Sequence, residues 1–523
     1  MDPNKPEEYD QNKNEEKNAK LKGENPEENP KEKKEENPEE NPEEKQEEKP
    51  KEKIKNTINE IITYIKKNSS EYPLILNDIF TSYSYKFLKI NSLNKLPILS
   101  HKELINNFTY YKEKTKEKIY SINPKTQKKI YISLSCIFGA FLGDALGSYC
   151  EFSSASKNNC KIIFEGTNIF GQPPGIFTDD SEMAISFTFA IFDLPNIKDL
   201  NLNYIYFYYH YWIKSRPFDC GNTIRSAFRF VNNEYDLERI NFDLYKKFIS
   251  MYNDNSLANG FLMRISPFVV WFYYCYNKEI EEIIKGKVKE KYYEIYLLIK
   301  KEAIKDNQLT HPNIENTLAS SLFVFMSLSS IVQNNPKEII NQIEYILNNG
   351  DEFQKEKRSI LFKQKILQEI ETIKDKNYNK YEYFKNVVYQ FGYYLHAFRM
   401  TIHYLYYFDD YKDEENITKY RSIMNEICNF GGDTDTNCAI VGTVIGPLIG
   451  YYNFGESDFD CLISVNREQR IQFSAFLIYF YVMFLEKNFE LVNNEKYNIE
   501  NKPRYNTLKL FLELLYGVKD DDD

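Results

Sequence analysis

Gly431-Gly432-Asp433-Thr434-Asp435-Thr436 leads into a long run without charged residues, from Cys438 to Phe454. Two carboxylates and two threonine hydroxyls, entered through two glycines, form a compact set of hard oxygen ligands, which suits a hard divalent cation. A second oxygen-rich cluster, Thr178-Asp179-Asp180-Ser181, also stands directly before an apolar segment. The sequence therefore predicts a scaffold that brings the two clusters together.

The charge of the 523-residue chain is unevenly distributed. The formal net charge is −10, and residues 1–50 contain 18 acidic and 10 basic residues, which leaves a net of −2 for the remainder. A nearly neutral remainder lacks the basic footprint of a nucleic-acid-binding domain. Nucleic acid is therefore not an expected partner.

Residues 1–53 consist mainly of Glu, Lys, Asn and Pro, and Glu-Asn-Pro-Glu-Glu-Asn-Pro occurs at 24–30 and again at 36–42. Such a polar segment cannot bury enough apolar surface to offset the entropy of ordering, which predicts disorder. Isoleucines at helical spacing then begin at Ile54. The predicted organisation is a disordered tail over 1–53, a helical extension over 54–130, a catalytic domain over 131–517 and an acidic tail over 518–523.

The eight cysteines include no Cys-x-x-Cys pair, which argues against a zinc knuckle or a dense disulfide framework. Buried thiols in a reducing compartment account for them better. The first residues contain no apolar run typical of a signal peptide, so the expected location is the cytoplasm or the nucleus. Uncharged runs such as 316–336 and 438–454 carry Ser, Asn, Gly or Pro, so we expect buried helices of a large all-α core and no membrane span.

Three glycines occur at regular spacing in the apolar segment 132–151. Gly139, Gly143 and Gly147 lie four residues apart and share one helix face, so another backbone could approach closely there. Asp144 lies in the same segment, and because an unpaired carboxylate would be costly there, it caps a helix, pairs or serves a site. Glu151 follows just past the glycine-containing turn.

Thr178 is a candidate N-cap for a helix from Ser181 to about Phe192, with Asp179 and Asp180 in its first turn. Taken alone, the two aspartates are accounted for by a favourable interaction with the helix dipole. Together with Asp433 and Asp435 they are not, because four carboxylates brought together would repel unless a cation lay among them.

Two further loops could serve a site. The loop from Asn255 to Arg264 exposes backbone N–H groups and could hold an anion such as a phosphate, although such a loop is more often only a connection. Thr310-His311-Pro312 precedes an apolar helix, where His311 is either structural or a hydrogen-bond donor to a ligand.

The 431–436 stretch also invites comparison with two known acidic motifs. An EF-hand loop counted from Asp433 requires Gly at its sixth position and Glu at its twelfth, but the chain has Cys438 and Val444 there. A phosphoryl-transfer aspartate of the Asp-x-Asp-x-Thr type normally ends a β-branched strand, whereas residues 423–430 indicate a helix. The EF-hand is therefore excluded, and the phosphoryl-transfer motif remains a weak rival.

With both clusters described, the chain resembles the ADP-ribosylglycohydrolase family over roughly residues 133–484. The order and spacing of several motifs carry this resemblance. They are Gly143-Asp144-Ala145-Leu146-Gly147 through Glu151, Thr178-Asp179-Asp180-Ser181, Phe218-Asp219-Cys220-Gly221-Asn222-Thr223, Asn259-Gly260 through Met263-Arg264, Thr310-His311-Pro312, and Gly431-Gly432-Asp433-Thr434-Asp435-Thr436.

The resemblance implies a compact all-α domain with two Mg²⁺ ions in a central cleft. The metal ligands by matching position would be Thr178, Asp179, Asp180, Asp433, Asp435 and Thr436. Substrate contacts would come from Asp144, Asp219, Asn222, Asn255, Ser256, Asn259, Gly260, His311 and Gly432. Ala258 and Phe261-Leu262 are bulkier than the residues usual in relatives, which predicts a narrowed or reshaped diphosphate pocket.

The expected activity is Mg²⁺-dependent hydrolysis of the bond between ADP-ribose and a modified protein side chain, with arginine as the first choice. The reaction passes through an oxocarbenium-like state, and Glu151 or Asp179 would take the proton of the attacking water. The alternatives are a hydrolase of serine-linked or nucleic-acid-linked ADP-ribose, or a non-catalytic ADP-ribose-binding or structural protein. The expected partners are an ADP-ribosylated protein and the ADP-ribose product, and the expected state is a monomer.

Overall fold

The computed structural model describes residues 42–67, 102–103, 106–107, 109–110, 113, 123–152, 169, 171, 175–229, 242–413, 417–455, 474–493, 509 and 513. Within these ranges the regular structure is helical, and an antiparallel bridge joins Ala258 to Tyr393. The predicted all-α class is confirmed. The chain divides into two units, residues 1–49 and 50–523, and the hydrophobic core lies in the second.

The helices of the described ranges are, in chain order, α1 (Pro42–Lys67), α2 (Pro124–Gly147), α3 (Asp179–Phe192), α4 (Leu202–Lys214), α5 (Asn222–Ala227), α6 (Phe242–Asn253), α7 (Ser266–Lys285), α8 (Tyr292–Asn307), α9 (Ile314–Val332), α10 (Pro336–Asn349), α11 (Glu352–Lys355), α12 (Lys357–Lys374), α13 (Lys380–Phe384), α14 (Tyr394–Tyr406), α15 (Lys419–Phe430), α16 (Thr434–Ile449) and α17 (Ser474–Asn493). Short 3₁₀ turns lie at Asn259–Phe261, Lys289–Lys291, Val387–Tyr389, Phe408–Asp410 and Tyr451–Asn453.

Helices α2 and α16 pack against each other through glycines. A Cβ atom added to Gly143 would lie closer than 3.0 Å to the carbonyl oxygen of Cys438, and one added to Gly139 would clash in the same way with Gly442. The shared glycine face predicted for 139, 143 and 147 is therefore a backbone-to-backbone contact. Every residue of α16 is buried, so the uncharged run after Thr436 is a core helix.

The contact continues to the site end of both helices. A Cβ atom added to Gly147 would lie closer than 3.0 Å to the backbone of Asp435, and the Thr434 hydroxyl donates a hydrogen bond to the Gly147 carbonyl at 2.7 Å. The first turn of α16 is therefore fixed against the last turn of α2. This contact sets the position of the 433–436 oxygen ligands.

In the part of the chain that the structure describes, two helices, α2 and α9, are long and apolar enough to cross a membrane by length and composition, and 89% of each apolar window is buried inside the structure. Core helices of globular domains pass the same test, so the evidence for a span is weak. The expected absence of a membrane partner stays a prediction.

The start of the helical part differs from the sequence prediction. Helix α1 begins at Pro42, ahead of the predicted start at Ile54, and Ile58, Ile61 and Ile62 join the hydrophobic core. The prediction of disorder for residues 1–41 lies outside the described residues, as does most of the predicted extension over 54–130. The predicted domain bounds stay predictions.

Candidate active site

The N-terminus of α3 is capped by a carboxylate from another helix. Thr178 occupies the N-cap position but makes no capping bond of its own. Instead, the backbone N–H groups of Thr178 and Ser181 donate to Asp144 at 3.0 Å, and their hydroxyls donate to the same carboxylate at 3.0 and 2.6 Å. These four donors connect Asp144 to the first turn of α3, so the carboxylate anchors α3 on α2.

Asp179 and Asp180 lie in the first turn of α3, as predicted, and they face different partners. Asp180 Oδ2 accepts a hydrogen bond from the Thr436 hydroxyl at 3.2 Å and lies 2.9 Å from the Thr178 hydroxyl oxygen. Asp179 Oδ2 accepts one from the backbone N–H of Gly221 at 3.0 Å. The two aspartates connect the α3 terminus to the α16 terminus and to the turn before α5.

The glycine turn at 431–432 sets the orientation of the second cluster, residues 433–436. Gly431 and Gly432 have φ values of +72° and +82°, which residues with a Cβ rarely adopt. The turn ends α15 and begins α16 at Thr434, so Asp433 and Asp435 flank the new N-terminus. Asp433 Oδ2 accepts a hydrogen bond from the side-chain amide of Asn259 at 2.8 Å.

The acidic side chains of the site form two groups. Carboxylate oxygens of Asp144, Asp180 and Asp435 lie within 4.8 Å of one another, and those of Glu151, Asp433 and Asp435 form the second group. Asp435 belongs to both. The sequence clusters at 178–181 and 433–436 are therefore adjacent, as the sequence predicted.

Burial and mutual repulsion raise the pKa values of four carboxyls of the site, those of Glu151, Asp179, Asp180 and Asp435. Burial raises the pKa values of Asp179, Asp180 and Asp435 well above the usual range, and neighbouring carboxylates raise them further. Burial, then repulsion from Asp219 and Asp433, raises the pKa of Glu151 to about 9. The site is therefore tuned to accept positive charge.

A cavity of about 370 Å³ opens beside the acidic groups. Ten of the residues expected in the site line it, namely Glu151, Asp179, Asp219, Asn222, Asn259, Gly260, His311, Asp433, Asp435 and Thr436. Another part of the wall is held by the bridge between Ala258 and Tyr393, where Asn259 N–H donates to the Gly392 carbonyl at 2.7 Å. The bridge fixes this part of the wall beside Asp433, which accepts a hydrogen bond from the Asn259 side-chain amide.

A buried cation supports the His311 side of the cavity. Arg264 is 1% exposed and donates to Asp306 at 2.9 Å, to the Gly260 carbonyl at 3.0 Å and to the Thr310 hydroxyl at 2.8 Å. The same hydroxyl lies 2.8 Å from Nδ1 of His311. Burial and Arg264 lower the pKa of His311 well below its usual value, so the ring is neutral.

Comparison with known proteins agrees with this arrangement. The family model described as ADP-ribosylglycohydrolase matches residues 132–457, which is more than half of the chain. The chain belongs to the ADP-ribosylglycohydrolase family. Membership gives the reaction class, which is hydrolysis of a linkage to ADP-ribose.

Two relatives illustrate the similarity. A putative ADP-ribosyl glycohydrolase of Acanthamoeba polyphaga mimivirus is 27% identical over 329 residues, which cover 61% of this chain and 86% of the relative. The ADP-ribosyl-[dinitrogen reductase] glycohydrolase of Rhodospirillum rubrum is 27% identical over 141 residues, 26% of this chain and 42% of that enzyme. A solved structure of an ADP-ribosylglycohydrolase-related protein complex covers 68% of this chain and 100% of that chain at 16% identity, with a TM-score of 0.42.

Four residues predicted to contact the substrate of this glycohydrolase do not lie on the cavity wall. Asp144 is fully buried and caps α3, and its predicted substrate contact stays a prediction. Gly432 is held by the turn, with its carbonyl accepting from Phe152 N–H. Asn255 is exposed outside the cavity, and the Ser256 hydroxyl is engaged with Thr223 at 2.8 Å.

The 259–264 loop also differs from the prediction. Phe261 and Leu262 are fully buried and do not line the cavity, so they do not narrow it. Their side chains join the hydrophobic core because the 3₁₀ turn over 259–261 points Asn259 and Gly260 toward the cavity instead. Ala258 does line the cavity.

Sequence reasoning missed the wall formed by Phe152, Phe391 and Gly392. Gly392 has a φ of +69°, and an added Cβ would lie 3.4 Å from Asp433 and from Asn259. An isolated glycine between aromatic residues was the available signal. It carried no information about the distant segment that it would meet.

The residues present fit bound metal ions. Asp180 Oδ1 and Glu151 Oε2 are buried without a hydrogen-bond partner among the described residues, so each offers an oxygen that nothing else satisfies. Carboxylates and hydroxyls are the donors that hard divalent cations prefer. The glycohydrolase thus has two acidic groups able to hold a metal ion.

Proposed function

We propose that this glycohydrolase uses two Mg²⁺ ions to hydrolyse the bond between ADP-ribose and arginine side chains of modified proteins. The observation that carries the proposal is the pair of carboxylate groups that share Asp435 beside the cavity. Two groups of hard oxygen donors, one on each side of a shared aspartate, match the requirements of two neighbouring hard cations.

Asp180, Asp433, Asp435 and Thr436 are the residues best placed to hold the ions, with Thr178 and Asp179 at the same helix terminus. When bound, Mg²⁺ supplies a Lewis acid that orients ribose hydroxyls and lowers the pKa of water. The N-termini of α3 and α16 also contribute their helix dipoles. These dipoles favour the carboxylates that surround the ions.

Glu151 is the proposed proton acceptor for the attacking water. It lines the cavity, is 4% exposed, and keeps Oε2 free of any hydrogen bond among the described residues. Asp179 has one oxygen occupied by Gly221 N–H. Glu151 therefore offers a buried oxygen for a water at the anomeric carbon, while Asp179 stays the alternative.

The part of the cavity wall formed by Asn222, Gly260 and His311 is the proposed cradle for ADP-ribose. Gly260 leaves room beside His311, because an added Cβ would lie 3.0 Å from the imidazole ring. The amide of Asn222 and the neutral ring of His311 would offer hydrogen bonds to ribose or phosphate oxygens.

The choice of arginine rests on charge. Glu151, Asp219 and Asp433 line the cavity, and Arg225 is engaged with the Cys220 carbonyl at 3.2 Å. The carboxylate charge that the two proposed Mg²⁺ ions leave unneutralised would favour a cationic guanidinium over a neutral leaving group. The name of the Rhodospirillum rubrum relative adds a protein substrate as precedent. A cytoplasmic or nuclear location and a monomeric state remain part of the proposal.

The test is a substrate panel. The purified chain is incubated with arginine-, serine- and nucleic-acid-linked ADP-ribose, and free ADP-ribose is measured with Mg²⁺, with EDTA, and after Mg²⁺ is restored. We expect release from the arginine linkage that EDTA abolishes and Mg²⁺ restores. Release from serine or nucleic acid alone would overturn the choice of arginine, and tight ADP-ribose binding without turnover on any substrate would overturn the hydrolase itself.

A further inference from the structure

We propose that Phe152 and Phe391 form an aromatic gate that holds the guanidinium group of the substrate arginine at the mouth of the cavity. This inference rests on the proposed function and names the residues that would select its leaving group. The term gate refers only to these two residues.

Both rings are exposed at the edge of the acidic cavity. Phe152 is 55% exposed and Phe391 is 51% exposed, although each lines the cavity wall. Their ring centroids lie 5.7 Å apart at an interplanar angle of 89°. Two large apolar side chains so exposed at a cavity mouth indicate a surface that a ligand covers.

The backbone holds each ring in place. Phe152 has a φ of +57°, a conformation that costs free energy for any residue with a Cβ, and its N–H donates to the Gly432 carbonyl at 2.7 Å. Phe391 precedes Gly392, whose carbonyl accepts from Asn259. The gate is therefore tied to the glycine turn on one side and to the 255–260 loop on the other.

The position of the gate along the substrate follows from its neighbours. Phe152 directly follows Glu151, the proposed proton acceptor, and Phe391 adjoins Gly392, which lies against Asp433. The rings therefore flank the end of the cavity where the glycosidic bond would be cleaved. The group on the other side of this bond from ADP-ribose is the leaving side chain.

The chemistry of the mouth favours a planar cation. Aromatic faces attract a guanidinium through the ring quadrupole, and nearby carboxylates add a longer-range attraction. Glu151, Asp219 and Asp433 supply those carboxylates. A neutral serine linkage gains neither contribution, so the gate would discriminate in favour of arginine.

The experiment measures binding without turnover. In a Glu151→Gln background, calorimetry compares the affinities for ADP-ribosylarginine and for free ADP-ribose. We expect Phe152→Leu and Phe391→Leu each to weaken binding of ADP-ribosylarginine about 3- to 10-fold while leaving the affinity for ADP-ribose unchanged. Phe152→Tyr should keep the preference because it keeps the aromatic face.

Tyr389→Leu is the matched control. Tyr389 is 78% exposed and lies two residues from Phe391, but it does not line the cavity. Its loss should change neither affinity. An unchanged preference in both gate variants, or an equal loss for ADP-ribose, would overturn the gate. Failure of the proposed function is seen separately, as absent turnover by the unmodified chain on the substrate panel.

Discussion

Asp435 lies where the two acidic groups of the site meet. Replacing it by Ala removes one carboxylate from both groups, so Asp435→Ala should abolish Mg²⁺ binding in calorimetry and reduce ADP-ribose release to background. Asp409→Ala, which removes an exposed carboxylate, is the control and should change neither. Turnover retained by Asp435→Ala would contradict the metal-dependent mechanism.

Glu151 is predicted to act on a proton rather than to bind ADP-ribose. Glu151→Gln keeps the shape of the side chain but cannot accept that proton. We expect kcat to fall about 10²- to 10⁴-fold with the affinity for ADP-ribose changed by less than a few-fold. Rapid-quench measurement of release together with calorimetry checks this. A normal kcat in this variant would indicate that Asp179, and not Glu151, accepts the proton of the attacking water.

Among the helices, the α2–α16 contact is the most sensitive to side-chain size. Gly143→Ala places a methyl group against the Cys438 backbone, which no rotamer change can relieve. We expect the free energy of unfolding to fall by about 1–3 kcal/mol, despite the better helix propensity of Ala. Urea denaturation measures this.

Gly221→Ala serves as the stability control for that substitution. Its φ is −61° and the nearest atom to an added Cβ is 4.0 Å away, so Ala fits both the backbone and the space. We expect a change in the free energy of unfolding below about 0.5 kcal/mol. Equal losses in the two variants would argue against the backbone contact.

Helix α4 carries a buried histidine that makes the folded protein more stable at neutral pH than at acidic pH. Burial, then Lys214, lowers the pKa of His210 from 6.5 to about 4, and neither ring nitrogen has a partner among the described residues. Between pH 6.5 and 4 the unfolded chain binds a proton at this ring that the folded chain does not bind. Stability is therefore lost as pH falls through this window, by about 1.4 kcal/mol per pH unit.

His210→Asn removes that contribution. Its free energy of unfolding, measured by urea denaturation at several pH values, should fall less steeply between pH 6.5 and 4.5 than that of the unmodified chain. Above pH 7.5 the two slopes should coincide, because the ring is neutral in both states. Identical slopes in the acidic window would show that His210 is already protonated in the folded protein.

At the scale of the whole molecule, α1 should contribute to stability and the residues before it should not. Deleting residues 1–41 stops before α1, whereas deleting 1–67 removes Ile58, Ile61 and Ile62 from the core. We expect the first deletion to keep ADP-ribose release and thermal stability. The second should lower the free energy of unfolding by roughly 5 kcal/mol. Equal stability of the two truncated chains would mean that α1 contributes nothing to the core.

The sequence alone was enough for much of the site because its chemistry is local in the chain. Adjacent carboxylates at 179–180, and the pair at 433 and 435, indicated a cation by their mutual repulsion. Glycines four residues apart on α2 predicted a close backbone contact. Residue spacing on one helix is a property of the chain itself, so these predictions needed no knowledge of distant segments.

Further features depended on which segments meet. Asp144 was ambiguous in the sequence, and only its contact with the α3 terminus shows that it caps a neighbouring helix. Phe391 and Gly392 carry no motif and join the cavity only because the bridge between Ala258 and Tyr393 brings them there.

By itself, the sequence determined the helical class, the two oxygen-rich clusters and the glycine face, because these follow from composition and from periodicity within one segment. The tertiary structure decided which carboxylates share Asp435, which residues form the cavity wall and where the two exposed phenylalanines stand. Those features are contacts between segments far apart in the chain. They are fixed by packing of the whole core, which no local pattern encodes.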